Sequence, residues 1–329
     1  MIYVTGDTHA DFSKFVSDIF KGQSEMTKED YVIICGDFGG VWNCNEESPR
    51  EKWWMDWLES KPFTTLFVDG NHENFDRLYS YPVEEWKGGK IHKIRPSVIH
   101  LMRGQVFTID GKKIFTFGGA RSHDISGGVL DLEDPDFERK RKELDKDWKP
   151  YRINHLSWWT MELPTQEEME EGLANLEKVN YEVDYVITHC GASGVQNMLV
   201  GEFGGIFETD CLTEYFQVLE KKLSYKKWYF GHYHMDKEVD EKHTLLYHAM
   251  IPVGEKEDLS QIPVLGKPRY VYGDAVKIQW QDTVKIGKIF VVDAYGTFGQ
   301  KEEPSYDVFV EEDNCIYKHI RESEILGNL

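Results

Sequence analysis

The chain has 329 residues and a formal net charge of −20, from 58 acidic against 38 basic residues. That balance speaks against a broad nucleic-acid-binding face, which needs Lys and Arg to release counterions. It leaves an anionic substrate open, because bound divalent cations reverse the local field inside an acidic protein.

In chain order, Tyr3 to Thr5 reads as a short apolar strand running into Gly6-Asp7. Phe12, Phe15, Val16 and Ile19 recur at helical spacing, which predicts a helix over 12–20. Tyr31 to Cys35 reads as a buried strand ending in Gly36-Asp37, and Arg50 to Leu58 as a Trp-rich helix. Thr64 to Val68 is a third strand, closing on Asp69-Gly70-Asn71-His72. Glycine at such strand ends lets the backbone turn sharply, and ligands of α/β sheets gather at the carboxyl ends of strands. Period-two patterning in Gln105 to Ile109 and Lys112 to Phe117, joined by Asp110-Gly111, predicts a hairpin. Residues 124–180 are charged and read as a mostly helical insertion beside the site, with Trp148, Trp158 and Trp159 inside it. The run Asp131 to Asp147 reads as a solvated helix face. Val183 to Thr188 is a buried strand ending at His189, Thr209 to Leu223 a helix, and Trp228 to Phe230 a last core strand before Gly231-His232-Tyr233-His234. Beyond residue 255 short β-like runs dominate.

No run of about 18 apolar residues occurs, so no membrane span is expected. The first residues lack a charged segment followed by a long apolar one, so no secretory signal is expected either. Five cysteines without a CxxC pair argue against a disulfide framework or a Cys-rich zinc site. A reducing cytoplasm is the simplest compartment.

The polar strand ends form an ordered series: Asp7-Thr8-His9, Asp37, Asn71-His72-Glu73, His189 and His232-Tyr233-His234. Carboxylate, imidazole and amide oxygen suit a hard or borderline divalent cation. Seven candidate ligands exceed one ordinary site and suit two cations sharing a carboxylate. Taken singly, each has a bland explanation. Asp7 could cap a helix, Asn71 could be a turn residue, and His189 could be a satisfied core histidine. None of these explains five such blocks in order.

The five blocks, D-x-H, G-D, G-N-H-E, H and G-H-x-H, resemble the calcineurin-like metallophosphoesterases over residues 1 to about 250. The resemblance implies an α/β/β/α sandwich and hydrolysis of a phosphate ester by a hydroxide bridging two metals. It implies that Asp7, His9 and His234 hold one cation, that Asn71, His189 and His232 hold the other, and that Asp37 bridges both. Manganese is the first expectation, with iron or zinc as alternatives. His72, not a ligand in the pattern, would face the substrate and protonate the leaving oxygen.

The chain departs from the protein Ser/Thr phosphatase branch. Gly40 and Val41 stand where that branch carries Asp and Arg, and Asn74-Phe75 follow Glu73 where it carries Arg. Arg121, after Gly118-Gly119-Ala120, is the candidate replacement for the missing arginine clamp. As a bland alternative, it pairs with a surface carboxylate. The Gly-Gly-Ala run, Trp158-Trp159 and the Leu173 to Leu176 stretch are similar to a bacterial and prophage branch of single-chain metallophosphoesterases.

Residues 265–329 resemble a small Src-homology-3-like or KOW-like barrel, from runs such as Ala275 to Ile278 and Lys288 to Val292. From residue 255 onward nine basic residues face fourteen acidic ones. That favours a protein contact over nucleic acid. The expected organisation is a catalytic domain over 1–255 and the barrel over 265–329. Two other functions stay open: a non-catalytic metal-bound interaction module, and a nuclease-type phosphodiesterase.

Overall fold

A computed structural model describes residues 1–123, 125–146, 149–203, 208–255, 259, 268–271, 273–281, 283–293, 303–313 and 315–329. The chain divides into two compact units. The first comprises residues 1–121, 155–196 and 209–259, and the second 122–154, 197–208 and 260–329.

The first unit is built on two mixed sheets. In the seven-stranded sheet, strands Ile2–Thr5, Tyr31–Ile34, Thr64–Phe67 and Val98–Leu101 run parallel. Met250–Pro252 closes one edge antiparallel to Ile2–Thr5, and Gly89–Arg95 and Val83–Trp86 close the other. In the six-stranded sheet, Lys112–Phe117, Tyr185–Thr188, Lys227–Phe230 and His243–Leu245 run parallel. Gln105–Ile109 and Lys237–Glu238 flank it antiparallel. The central strands are continuous apolar runs with every residue buried, as in Tyr31–Ile34 and Tyr185–Thr188, which is the pattern of parallel strands covered on both faces.

Helix Pro49–Glu59 packs Met55 and Leu58 into a cluster with Phe12, Phe15, Phe38, Phe63 and Phe67. Its start is fixed by a capping box between Ser48 and Glu51, with Pro49 in the first turn. Helices Gln166–Lys178 and Cys211–Lys222 begin with reciprocal caps as well, at Thr165 and Asp210.

The helix predicted over 12–20 does not form. Only the short turns Ser13–Phe15 and Lys21–Glu25 appear, both of the tighter 3-10 type. The amides of Phe15, Val16 and Ile19 bond three residues back rather than four, so the apolar spacing is met by successive turns. Ile19 is exposed while Phe12, Phe15 and Phe20 are buried.

The predicted insertion is only partly helical. Phe137–Lys146, in the second unit, buries no side chain, and Gln166–Lys178 belongs to the first unit. Trp159 is buried in the first unit, while Trp148 and Asp147 lie outside the described residues. In the second unit, strands Ala275–Trp280, Thr283–Asp293, Ser305–Val310, Cys315–Arg321 and Ile325–Asn328 form a five-stranded antiparallel sheet. Its own apolar cluster includes Val276, Ile278, Ile289, Tyr306, Val308 and Ile320. The all-β expectation for this region holds at the level of a sheet.

Just before Asn71, the buried Asp69 carboxylate accepts from Arg103 Nε at 2.8 Å and Nη2 at 2.6 Å, and its other oxygen lies 3.0 Å from His100 Nε2. Burial pushes this carboxyl up, but Arg103 and His100 outweigh it and hold it well below the ordinary carboxylate range. Arg103→Met should lower the unfolding free energy by about 3–5 kcal/mol, because Asp69 stays buried after losing its main cation. Urea unfolding of both proteins measures this. A loss below about 1 kcal/mol would mean that Asp69 recruits another partner.

Candidate metal centre

Carboxyl ends of parallel strands from both sheets meet at one place. The side chain of His189, beyond Tyr185–Thr188, reaches the carbonyl of Cys35, beyond Tyr31–Ile34, at 2.8 Å. The backbone N–H of His232, beyond Lys227–Phe230, donates to Asp7 Oδ1 at 3.0 Å. Close approach is helped by the glycines that precede Asp7, Asp37, Asn71 and His232. A methyl group on Gly70 would overlap the Asp37 carboxylate, and one on Gly231 would overlap that of Asp7.

Asp7, His9, Asp37 and His234 offer ligand atoms that all lie within 4.8 Å of one another. His9 Nε2 and His234 Nε2 are 3.0 Å apart. His234 Nε2 stands 3.3 Å from Asp7 Oδ2, yet that buried oxygen has no hydrogen-bond partner. An orphaned carboxylate oxygen facing two imidazole nitrogens is a donor set that a cation completes.

A second group adjoins it through Asp37. His189 Nε2 lies 3.3 Å from Asp37 Oδ1 and 3.2 Å from Asn71 Oδ1. Since Nδ1 of His189 is committed to a carbonyl, which only accepts, a neutral ring turns its Nε2 lone pair toward two oxygens. Three lone pairs then converge, and either a proton or a metal resolves them. Metal-binding histidines commonly donate their second N–H to such a carbonyl. His232 packs edge-on against His189, with ring centroids 4.9 Å apart.

The electrostatics follow from two buried carboxylates among histidines. Burial pushes Asp7 up, but His234 and His189 outweigh it and hold it at about 2. Burial likewise raises Asp37, and His189 and His72 bring it well below its ordinary value. Burial lowers His9 to about 3. His189 rises to about 9 despite burial, because Asp37 favours its charged form. The Asp37 charge thus offsets the burial of the His189 ring.

His72 adjoins Asp37 and His9. Its backbone N–H donates to Asp37 Oδ1 at 2.8 Å, and its imidazole lies edge-on to His9 at 5.3 Å. Arg121 is exposed rather than gathered into the buried cluster. It follows Gly118 and Gly119, and the N–H of Gly119 donates to the carbonyl of Asp69 at 2.8 Å.

Sequence reasoning did not single out the residues that hold this cluster in place. Lys14 Nζ donates to the carbonyls of Asp7 at 2.9 Å and Tyr247 at 2.8 Å. Asp236 accepts from the N–H groups of Tyr247, His248 and Ala249. Tyr247 stacks on His234 with ring centroids 4.5 Å apart. Glu73 accepts from Phe38 N at 2.7 Å, fixing the loop after Asp37. The sequence carries a signal only for Glu73, through its place in the G-N-H-E block. Backbone strain marks the site too: His9, Asp37, His232 and His234 adopt φ of +44°, +43°, +73° and +49°. Non-glycine residues there cost about 1–3 kcal/mol each.

The calcineurin-like phosphoesterase family profile matches residues 1–236. The chain belongs to this family. No match was found among curated proteins. Membership places metal-dependent hydrolysis of phosphate esters with this phosphoesterase, and the Asp7, His9, Asp37, His234 cluster fits a divalent cation. Among the described residues no helix is long and apolar enough to cross a membrane.

A cation at this cluster should stabilise the fold by mass action. At about 100 times the dissociation constant of Mn²⁺ the gain is about 2.7 kcal/mol for one site. It should appear as a higher unfolding midpoint than in the EDTA-treated protein, and Asp7→Asn should remove most of the increase. A midpoint indifferent to Mn²⁺ would exclude Mn²⁺ at this cluster.

Proposed function

We propose that this phosphoesterase hydrolyses phosphate esters with two divalent cations, manganese first among them, held on either side of Asp37. The supporting observation is that Asp37 belongs to both groups: its carboxylate lies near His9 Nδ1 at 3.8 Å and His189 Nε2 at 3.3 Å. Asp7, His9 and His234 would complete one set, and Asn71, His189 and His232 the other. Paired cations supply an acidified water and charge neutralisation on the phosphoryl oxygens.

The chain's own residues do the rest. Asp37 is oriented by the His72 N–H, and Asp7 by the His232 N–H. The His189 ring is held at Nδ1 by the Cys35 carbonyl, so Nε2 is the atom that would hold a cation. The His72 ring lies beside His9, with centroids 5.3 Å apart, and its proposed role is to give a proton to the departing oxygen. His72→Ala should retain two cations per chain and lose turnover by about 10²–10⁴-fold. Metal analysis together with steady-state rates reads both effects. Wild-type turnover in this variant would remove His72 from the chemistry.

Arg121 is the proposed contact for the additional charge of a monoester. Arg121→Ala should lower kcat/KM more on an aryl monoester than on an aryl diester, because the charge-assisted contact serves the doubly charged phosphate. Equal losses on both would show that Arg121 does not read phosphate charge.

We take the organisation to be a catalytic domain over 1–255, with its insertion at 124–180, and a small Src-homology-3-like barrel over 265–329. The apolar cluster within the C-terminal sheet supports a separate module, and the acidic balance of this segment supports a protein partner. A cytoplasmic location is consistent with free Cys35, Cys44, Cys190 and Cys211.

A further inference from the structure

Ring contacts run from His9 to His72 and from His72 to Trp42. The half-buried indole of Trp42 lies 6.4 Å from His72 between ring centroids, with the planes inclined by 34°. Behind it stands buried Trp159, edge-on at 5.8 Å and 76°. The Trp159 indole N–H donates to Asp76 Oδ2 at 2.6 Å, so this brace does not slide.

The backbone of Trp42 is pinned as well. Its N–H donates to Glu51 Oε1 at 2.6 Å, and its carbonyl accepts from Asn74 Nδ2 at 3.0 Å. Glu51 is itself fixed by the Ser48 N–H at 2.6 Å and by Arg77 Nη1 at 3.0 Å. A tryptophan that only fills a core would be enclosed. This residue is only half-buried, while its edge and backbone are held by neighbours.

We propose that Trp42 is a stacking wall that makes the enzyme prefer esters whose leaving group is a flat aromatic ring. The proposal rests on the phosphoester reading above. If His72 protonates the departing oxygen, the leaving group lies on the His72 side, and the indole of Trp42 is the surface beside it. A planar ring gains dispersion and quadrupole contact on an indole, and a small alkyl group covers far less of it. Trp42 acts on specificity and not on the reacting atoms.

The test is calorimetric binding of phenylphosphonate and methylphosphonate to the Mn²⁺-loaded full chain. These probes differ in the ring and cannot be hydrolysed as esters. Wild type should bind the phenyl compound roughly tenfold more tightly, from the stacking contact. Trp42→Phe should keep much of that preference. Trp42→Ala should abolish it and leave methylphosphonate affinity unchanged.

Equal affinity of the two probes for wild type overturns the proposal without any variant. A phenyl preference that survives in folded Trp42→Ala overturns it too. Hydrolysis of phenyl phosphate and glycerol phosphate separates the two readings. If neither is hydrolysed while the Trp42-dependent preference persists, the phosphoester reading fails and the stacking surface stands. If both are hydrolysed and Trp42→Ala lowers both alike, the stacking wall fails and the phosphoester reading stands.

Discussion

Asp7 and Asp37 put two carboxylates into one buried space, and most of the surrounding structure compensates for that. Ion desolvation alone costs several kcal/mol per group, and like charges this close repel. Each carboxylate therefore accepts a backbone N–H from a neighbouring strand end, His232 for Asp7 and His72 for Asp37. Histidines surround both, and Asp37 pushes the affinity of His189 for a proton up. The same arrangement that stabilises the buried anions leaves ligand atoms directed at a common point. Compensation by protons and compensation by metal are alternative solutions to one electrostatic problem.

Holding that arrangement requires a backbone that would otherwise relax. Four candidate ligands sit in the left-handed region, and local interactions alone do not keep aspartate and histidine there. Lys14 ties the carbonyls of Gly6, Asp7 and Tyr247 together. Asp236 gathers three successive N–H groups of the loop that lays Tyr247 on His234. Glu73 does the same for Phe38 and Gly39. These residues touch peptide groups rather than ligand side chains, so they fix where the strand ends turn.

Much of this frame was legible in the residue pattern. Tyr31–Ile34 and Tyr185–Thr188 are apolar runs too short for helices and end in polar turns, which identified both strand and site at once. The hairpin at Asp110-Gly111 followed from turn chemistry. The stretch 12–20 misled because phenylalanines three apart satisfy a helical stripe and a series of tight turns equally well; the bonding of Phe15, Val16 and Ile19 settles it. In the C-terminal region alternation gave strands, but closure depends on edge pairing that alternation does not encode. Trp42 had no signal, since a lone tryptophan among Gly, Asn and Glu gives no period, and its setting depends on Glu51, Asn74 and Trp159.

The bond from His232 to Asp7 joins residues 225 positions apart. Strand Ile2–Thr5 is likewise paired on one side by Met250–Pro252. At a synthesis rate of about 5–20 residues per second, Asp7 precedes His232 by roughly ten to fifty seconds. During that interval the nascent chain already carries Asp7, His9 and Asp37, without the strand end that completes their surroundings. The centre is therefore assembled late in translation, and any cation captured earlier is held by an incomplete and more exposed set of ligands.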